Sequence, residues 1–208
     1  MYRLYAIFIL LVFFHCSLWA QQQVKDSSQA TWSFSATGYY YIVPDDNSVS
    51  FIGYADHKKL HLESRYNYED IHTGSAFAGW RFETNGTLQF GATPMLGVVF
   101  GNTNGIAPGI ELDATYKMFD YYSETEYVID FTGKQNNFFY VWGELAISPT
   151  DALRTGISYQ KTRLYQTDRD VQRGVFAEYS FWKLTAGVYY FNPFSNSGFA
   201  IVSLGIDF

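Results

Sequence analysis

Charge is scarce in this chain. Only 16% of its residues are Asp, Glu, Lys or Arg, where a water-soluble domain carries about 25%. Basic residues are the scarcer kind: 14 Lys and Arg stand against 20 Asp and Glu, a formal net charge of −6. No basic patch marks a nucleic-acid partner. There is one cysteine, Cys16, so no disulfide framework can form within the chain. After Ala20 no apolar run approaches the ~20 residues that a membrane-spanning helix needs. A helical membrane protein, a disulfide-stapled module and a nucleic-acid binder are thereby set aside.

The N-terminus has the make-up of an export leader. One cation, Arg3, precedes an apolar stretch from Leu4 to Phe14, and Ser17-Leu18-Trp19-Ala20 ends at a small residue before Gln21-Gln22-Gln23. These features predict a secretory signal over residues 1–20 and a short segment over 21–30. Cleavage after Ala20 removes Cys16, and with it any thiol chemistry. A lipid anchor on Cys16 is the rival reading, but Phe14 and His15 are too large for the positions before a lipidated cysteine.

What the chain has in abundance is aromatic residues, 20% of the total, with Tyr 18 and Phe 19. From Thr31 onward apolar side chains recur at every second position, the spacing of a strand with one apolar face. Trp32, Phe34, Ala36, Gly38 and Tyr40 mark the first strand, and Val49 to Asp56 the second. Over Lys59 to Tyr68, Leu62, Ser64, Tyr66 and Tyr68 face one way and His61, Glu63, Arg65 and Asn67 the other. Residues 69–74 read as loop. Ala76, Ala78, Trp80 and Phe82 lead to the hairpin signal Asn85-Gly86. The fifth strand runs from Thr87 to Val99, with a bulge expected at Pro94 because proline cannot donate to a ladder.

Ile110 to Met118 forms the sixth strand, and a tight turn at Phe119-Asp120 leads into the seventh, Tyr121 to Ile129. Phe139 to Ile147 is the eighth, and Leu153 to about Tyr165 the ninth, before the Thr167–Asp170 loop. Val175 to Phe181 and Leu184 to Tyr190 are the tenth and eleventh. The chain closes with Ala200, Val202, Leu204, Ile206 and Phe208 apolar in alternation with Ser203, Gly205 and Asp207. Twelve strands, with no linker or repeat between them, predict one domain over 31–208.

In that ending, Val202-Ser203-Leu204-Gly205-Ile206-Asp207-Phe208, the chain resembles the bacterial outer-membrane β-barrels. The resemblance implies an all-β, single antiparallel transmembrane barrel, set in the outer membrane after export, with residues 21–30 in the periplasm. It also implies that assembly machinery reads Phe208, Ile206, Leu204 and Val202, and that the last strand pairs with the first. The remaining composition agrees, since lipid-facing barrels carry aromatic girdles. Connections at 56–59, 84–86, 119–120, 148–151 and 182–183 are short, and those between are longer. Such barrels alternate short turns with longer outer loops, over an even strand count. A soluble β-sandwich also alternates, but it leaves the aromatic excess and the turn lengths unexplained. Membrane lipid is the implied partner, with other outer-membrane proteins as lateral ones.

Candidate chemistry is thin. Some barrels of this size resemble lipid hydrolases, which need a serine beside a histidine. Beyond the leader only His57, His61 and His72 are present, and His72 near Thr73 and Ser75 is the arrangement to test. No two histidines share an i, i+2 spacing, so no metal site is read, and no cofactor. The inward residues say more. Pairing Leu62 with Phe82 sets Glu63 against Arg81 and His61 against Glu83, and Lys183 falls opposite Asp207. The 119–120 turn sets Asp113 against Glu126, and pairing Ile129 with Phe139 sets Glu124 against Glu144. Like charges directly opposite are destabilising. Water, a bound cation, a protonated carboxyl, or an arginine from Arg65 or Arg81 reaching across the interior must answer them. The expectation is a narrow passive channel with an acidic wall of Asp113, Glu124, Glu126 and Glu144. A non-conducting accessory subunit and a lipid hydrolase are the alternatives.

Overall fold

A computed structural model describes residues 31–43, 47–162 and 171–208. The predicted signal and the 21–30 segment lie outside the described residues, as does the Thr167–Asp170 loop. Twelve antiparallel strands close into one barrel. They are β1 (Ser33–Ile42), β2 (Ser48–His57), β3 (Leu60–Tyr66) and β4 (Thr73–Trp80, resumed over Phe82–Thr84). Then come β5 (Leu88–Gly101), β6 (Gly105–Tyr116), β7 (Phe119–Asp130) and β8 (Phe138–Ile147). The last four are β9 (Leu153–Lys161), β10 (Gln172–Phe181), β11 (Leu184–Phe191) and β12 (Phe199–Asp207). Each strand pairs with its sequence neighbours, and β1 pairs with β12, so the sheet keeps no open edge. That closure is the one way a sheet satisfies its backbone in lipid.

Alternation sorts the side chains. Phe51, Tyr66, Phe90, Leu96, Val98, Phe100, Leu145, Ile157 and Leu204 are exposed on the outer face. Tyr41, Ile52, Trp142, Phe176, Tyr189, Phe191, Phe199 and Ile201 are buried inside. His61, Glu63, Arg65, Glu124, Glu126 and Glu144 are buried on the inner face.

Four local expectations are corrected. The turn expected at Phe119-Asp120 lies at Lys117-Met118, because Tyr116 pairs with Phe119 and Lys117 takes the left-handed conformation (φ 56°). Phe119 thereby joins the lipid-facing row. β3 ends at Tyr66, and Asn67 (φ 51°) bends the chain, so Tyr68 is buried inside the barrel and does not face lipid. The 67–72 loop donates Asn67 N–H to Thr73 at 2.8 Å. Pro94 makes no bulge: Gly79–Met95 and Phe82–Ala92 belong to one register, and the missing N–H instead splits β4 at Arg81. Finally, Pro108 lies within β6, which starts earlier than expected, at Gly105.

Phe208 stands just past β12 and donates its N–H to the Phe34 carbonyl at 2.9 Å, extending the closing pair by one bond.

Candidate functional site

The site is the barrel interior, and its centre is Arg65. On β3 the alternation brings His61, Glu63 and Arg65 to one face. On β7 it does the same for Asp120, Tyr122, Glu124 and Glu126. These two strands are not neighbours in the ring, so contacts between them cross the lumen. The Arg65 guanidinium makes that crossing. It donates from Nε to Glu63 at 2.6 Å and from Nη1 to Glu69 at 3.2 Å. It pairs with Glu124 at 2.7 Å and donates to Glu126. Its faces lie 4.2 Å from the Phe77 ring centroid and 4.9 Å from that of Tyr68, where cation–π attraction adds to the ionic contacts. Tyr68 in turn donates to Glu124 at 3.1 Å.

Glu69 joins this network because the bend at Asn67 turns the loop into the mouth of the barrel. It accepts from Ser75 Oγ at 2.6 Å as well as from Arg65. Burial pushes its carboxyl up to about 7, against the pull of Arg65. The bond to Glu69 also commits the Ser75 hydroxyl, and Thr73 Oγ1 donates to the Ile71 carbonyl. His72 lies at the edge of a cavity of about 560 Å³ at the loop rim, with Tyr40, Asn47 and Asn67. Among the described residues no hydrogen bond joins Ser75 to His72.

Beside Arg65, His61 faces Asp56 through Nδ1 at 2.7 Å and Glu63 through Nε2 at 2.6 Å. Glu111 on β6 lies 3.5 Å from the same Nε2 and accepts from the Tyr122 hydroxyl at 2.6 Å. A second group forms around Arg154 on β9, which contacts Asp120 and Glu144 at 2.6 Å each and Glu178 at 2.9 Å. Tyr189 donates to Glu178 at 2.7 Å, and Trp142 to Glu144 at 2.9 Å. Nearer the turn rim Arg81 holds Asp113 at 2.8 Å and Glu83 at 3.4 Å.

The paired carboxylates expected from the sequence do not face each other. Asp113 stands opposite Tyr122, and Gly109 opposite Glu126, because the turn lies two residues earlier. Glu124 stands opposite Trp142, and Glu144 opposite Tyr122. Among the described residues the one like-charge pair in register is Glu111 with Glu124. Glu63 meets Phe77, not Arg81, and His61 meets Gly79, not Glu83, since the loop after β3 starts two residues early. Lys183 and Asp207 do stand opposite, joined by the Asp207 N–H to the Lys183 carbonyl at 2.9 Å. Among the described residues no ion pair links their side chains.

Glu69, Glu111, Asp120, Tyr122 and Glu178 were not legible as site residues. Glu111 and Asp120 carried a signal, since each shares an inward face with a carboxylate already singled out, Asp113 and Glu124. Glu69 carried none, because its place depends on the backbone bend at Asn67.

Aromatic rings fill the space between the charged groups. Phe176, Tyr189, Phe191 and Phe199 stack in succession, with centroids 5.2, 6.4 and 5.2 Å apart and planes within 15°. Trp142 bridges from β8 to Tyr39 on β1 at 6.2 Å and to Tyr189 at 5.4 Å, so it spans the lumen. Phe191 and Ile201 are 0% exposed.

No protein-family model matches the sequence, and no curated protein matches it. Among solved structures the chain is similar to one described as "KdgM porin", with a TM-score of 0.57 and 14% identity, over 85% of this chain and 99% of that one. At that identity the likeness shows the fold alone, and the fold it shows is that of a small porin barrel.

Proposed function

We propose that the protein is a passive channel of a bacterial outer membrane, narrow and selective for small cations. The observation that carries this reading is the balance of charge on the inner wall. Asp113, Asp120, Glu144 and Glu178 share Arg81 and Arg154, and the group around Arg65 holds more carboxylates again. An acidic wall in a low-dielectric surround concentrates cations. Asp113 and Asp120 are the carboxylates best placed to meet a passing ion, with side chains 33% and 22% exposed.

Reversal potentials of the purified protein in planar bilayers, under a salt gradient, test this. The expected result is small unitary steps with cation selectivity, and a reversal potential nearer zero when Asp113→Asn and Asp120→Asn are combined. Selectivity for anions in the parent protein would overturn the acidic wall. A complete absence of conductance would instead favour a second reading, a non-conducting subunit of an outer-membrane assembly, which the aromatic packing of the lumen supports.

Export and delivery to the membrane belong to the same proposal. Assembly machinery would read the β12 strand and Phe208. Deleting Phe208 should lower the yield of heat-modifiable, folded barrel in membranes and raise the amount of degraded chain. An undiminished folded band on a detergent gel would show that the last residue carries no such signal.

A further inference from the structure

We propose that His61, Glu63 and Glu111 form a divalent-metal site on the inner wall of the barrel, of the kind that takes zinc. The Nε2 of His61, one oxygen of Glu63 and one of Glu111 all lie within 4.8 Å of one another. The two carboxylate oxygens stand 2.6 and 3.5 Å from Nε2. Tetrahedral donors at zinc–ligand distances of about 2.1 Å lie about 3.4 Å apart, so of the two separations from Nε2 only the shorter has to widen. One imidazole and two carboxylates suit zinc, and the fourth position is left for water.

The surrounding bonds prepare these three atoms. Asp56 holds Nδ1 of His61 at 2.7 Å, the contact that fixes the ring of a metal-bound histidine. Arg65 Nε holds the other Glu63 oxygen at 2.6 Å, and the Tyr122 hydroxyl holds the other Glu111 oxygen at 2.6 Å. Each ligand therefore has its distal atom anchored by a group outside the site, and its proximal atom turned toward the other two.

A second observation points the same way. Glu63, Glu69, Glu111, Glu124 and Glu126 share one guanidinium and one imidazole. Glu69 Oε2 and Glu126 Oε2 are buried with no hydrogen-bond partner, although both side chains also touch Arg65. The network is short of positive charge, and a divalent ion supplies it.

The test is calorimetric titration of the folded, detergent-solubilised protein with zinc chloride. One ion per barrel is expected. Affinity should fall at least 100-fold in both His61→Gln and Glu111→Gln, and about 10- to 100-fold in Asp56→Asn, an outer-shell change. If those variants fail to fold, His57→Ala combined with His72→Ala decides the matter. Binding that persists there at one ion per barrel supports the site, and binding that disappears places the metal elsewhere. Absence of binding in the parent protein, or equal binding in His61→Gln, would also overturn the proposal. None of these readouts depends on conduction.

Discussion

Arg65→Met should destabilise the barrel more than any other substitution of one side chain. The guanidinium is the shared cation of Glu63, Glu69, Glu124 and Glu126, and all five side chains are 0% exposed. Methionine keeps much of the volume between Phe77 and Tyr68 and removes every donor. Taking one partner from a buried ionic group costs about 3–5 kcal/mol, because the other charge stays buried and uncompensated. Here four carboxylates lose their cation at once. The measurement is the temperature or urea concentration at which the folded band disappears from a detergent gel. Arg65→Lys should recover part of the loss, since an ammonium keeps the charge but lacks the planar fork that reaches several acceptors. An unfolding midpoint for Arg65→Met within error of the parent would mean that β3 and β7 are not held together across the lumen.

The second large effect is expected in conductance. Trp142 and Tyr189 meet across the interior at 5.4 Å, and Trp142 continues to Tyr39. Combining Trp142→Ala with Tyr189→Ala removes two rings from the middle of the lumen. Buried aromatic-to-alanine changes cost about 3–5 kcal/mol each, so the yield of folded protein will fall. Among the barrels that do fold, single-channel steps should be several-fold larger than in the parent. Phe139→Ala, on the lipid face of the same strand, should leave the step size unaltered. Equal conductance in the double variant would show that ions do not pass where these rings stand. Steps that appear only in the double variant would show that the rings seal the parent barrel.

The sequence made faces legible and partners illegible, for a single reason. A strand has a period of two, so shifting a pairing by an even number of residues keeps every side chain on its face. The turn after β6 lies at 117–118 and not 119–120, which moves its register by four. The loop after β3 moves that register by four as well, and the one after β7 moves it by two. Glu63, Asp113, Glu124 and Glu144 therefore point inward as expected, while none meets the expected neighbour. Register depends on turn geometry, and here that geometry puts Lys117 and Asn67 at positive φ, where asparagine is common and lysine is not. Composition alone could not place them. Arg65 reaching across the interior was legible as one option among several. The contribution of Glu69 was not, because it rests on a bend that no pattern in the sequence announces.

The two prolines of the outer face give the wall uneven mechanics. Pro94 interrupts the ladder between β4 and β5, where pairing stops at Gly79–Met95 and resumes at Phe82–Ala92. Pro108 interrupts the ladder between β6 and β7, where pairing passes from Ile106–Ile129 to Gly109–Glu126. Between these breaks β5 and β6 are joined without interruption from Leu88–Tyr116 to Val99–Gly105. The pair behaves as one stiff stave set between two compliant seams, because a proline withholds the donor that would brace it to its neighbour. The stave carries Glu111 and Asp113 on its inner side, so tilting it changes their distance from His61 and Arg81. Movement at either seam would therefore change the spacing of charges in the interior.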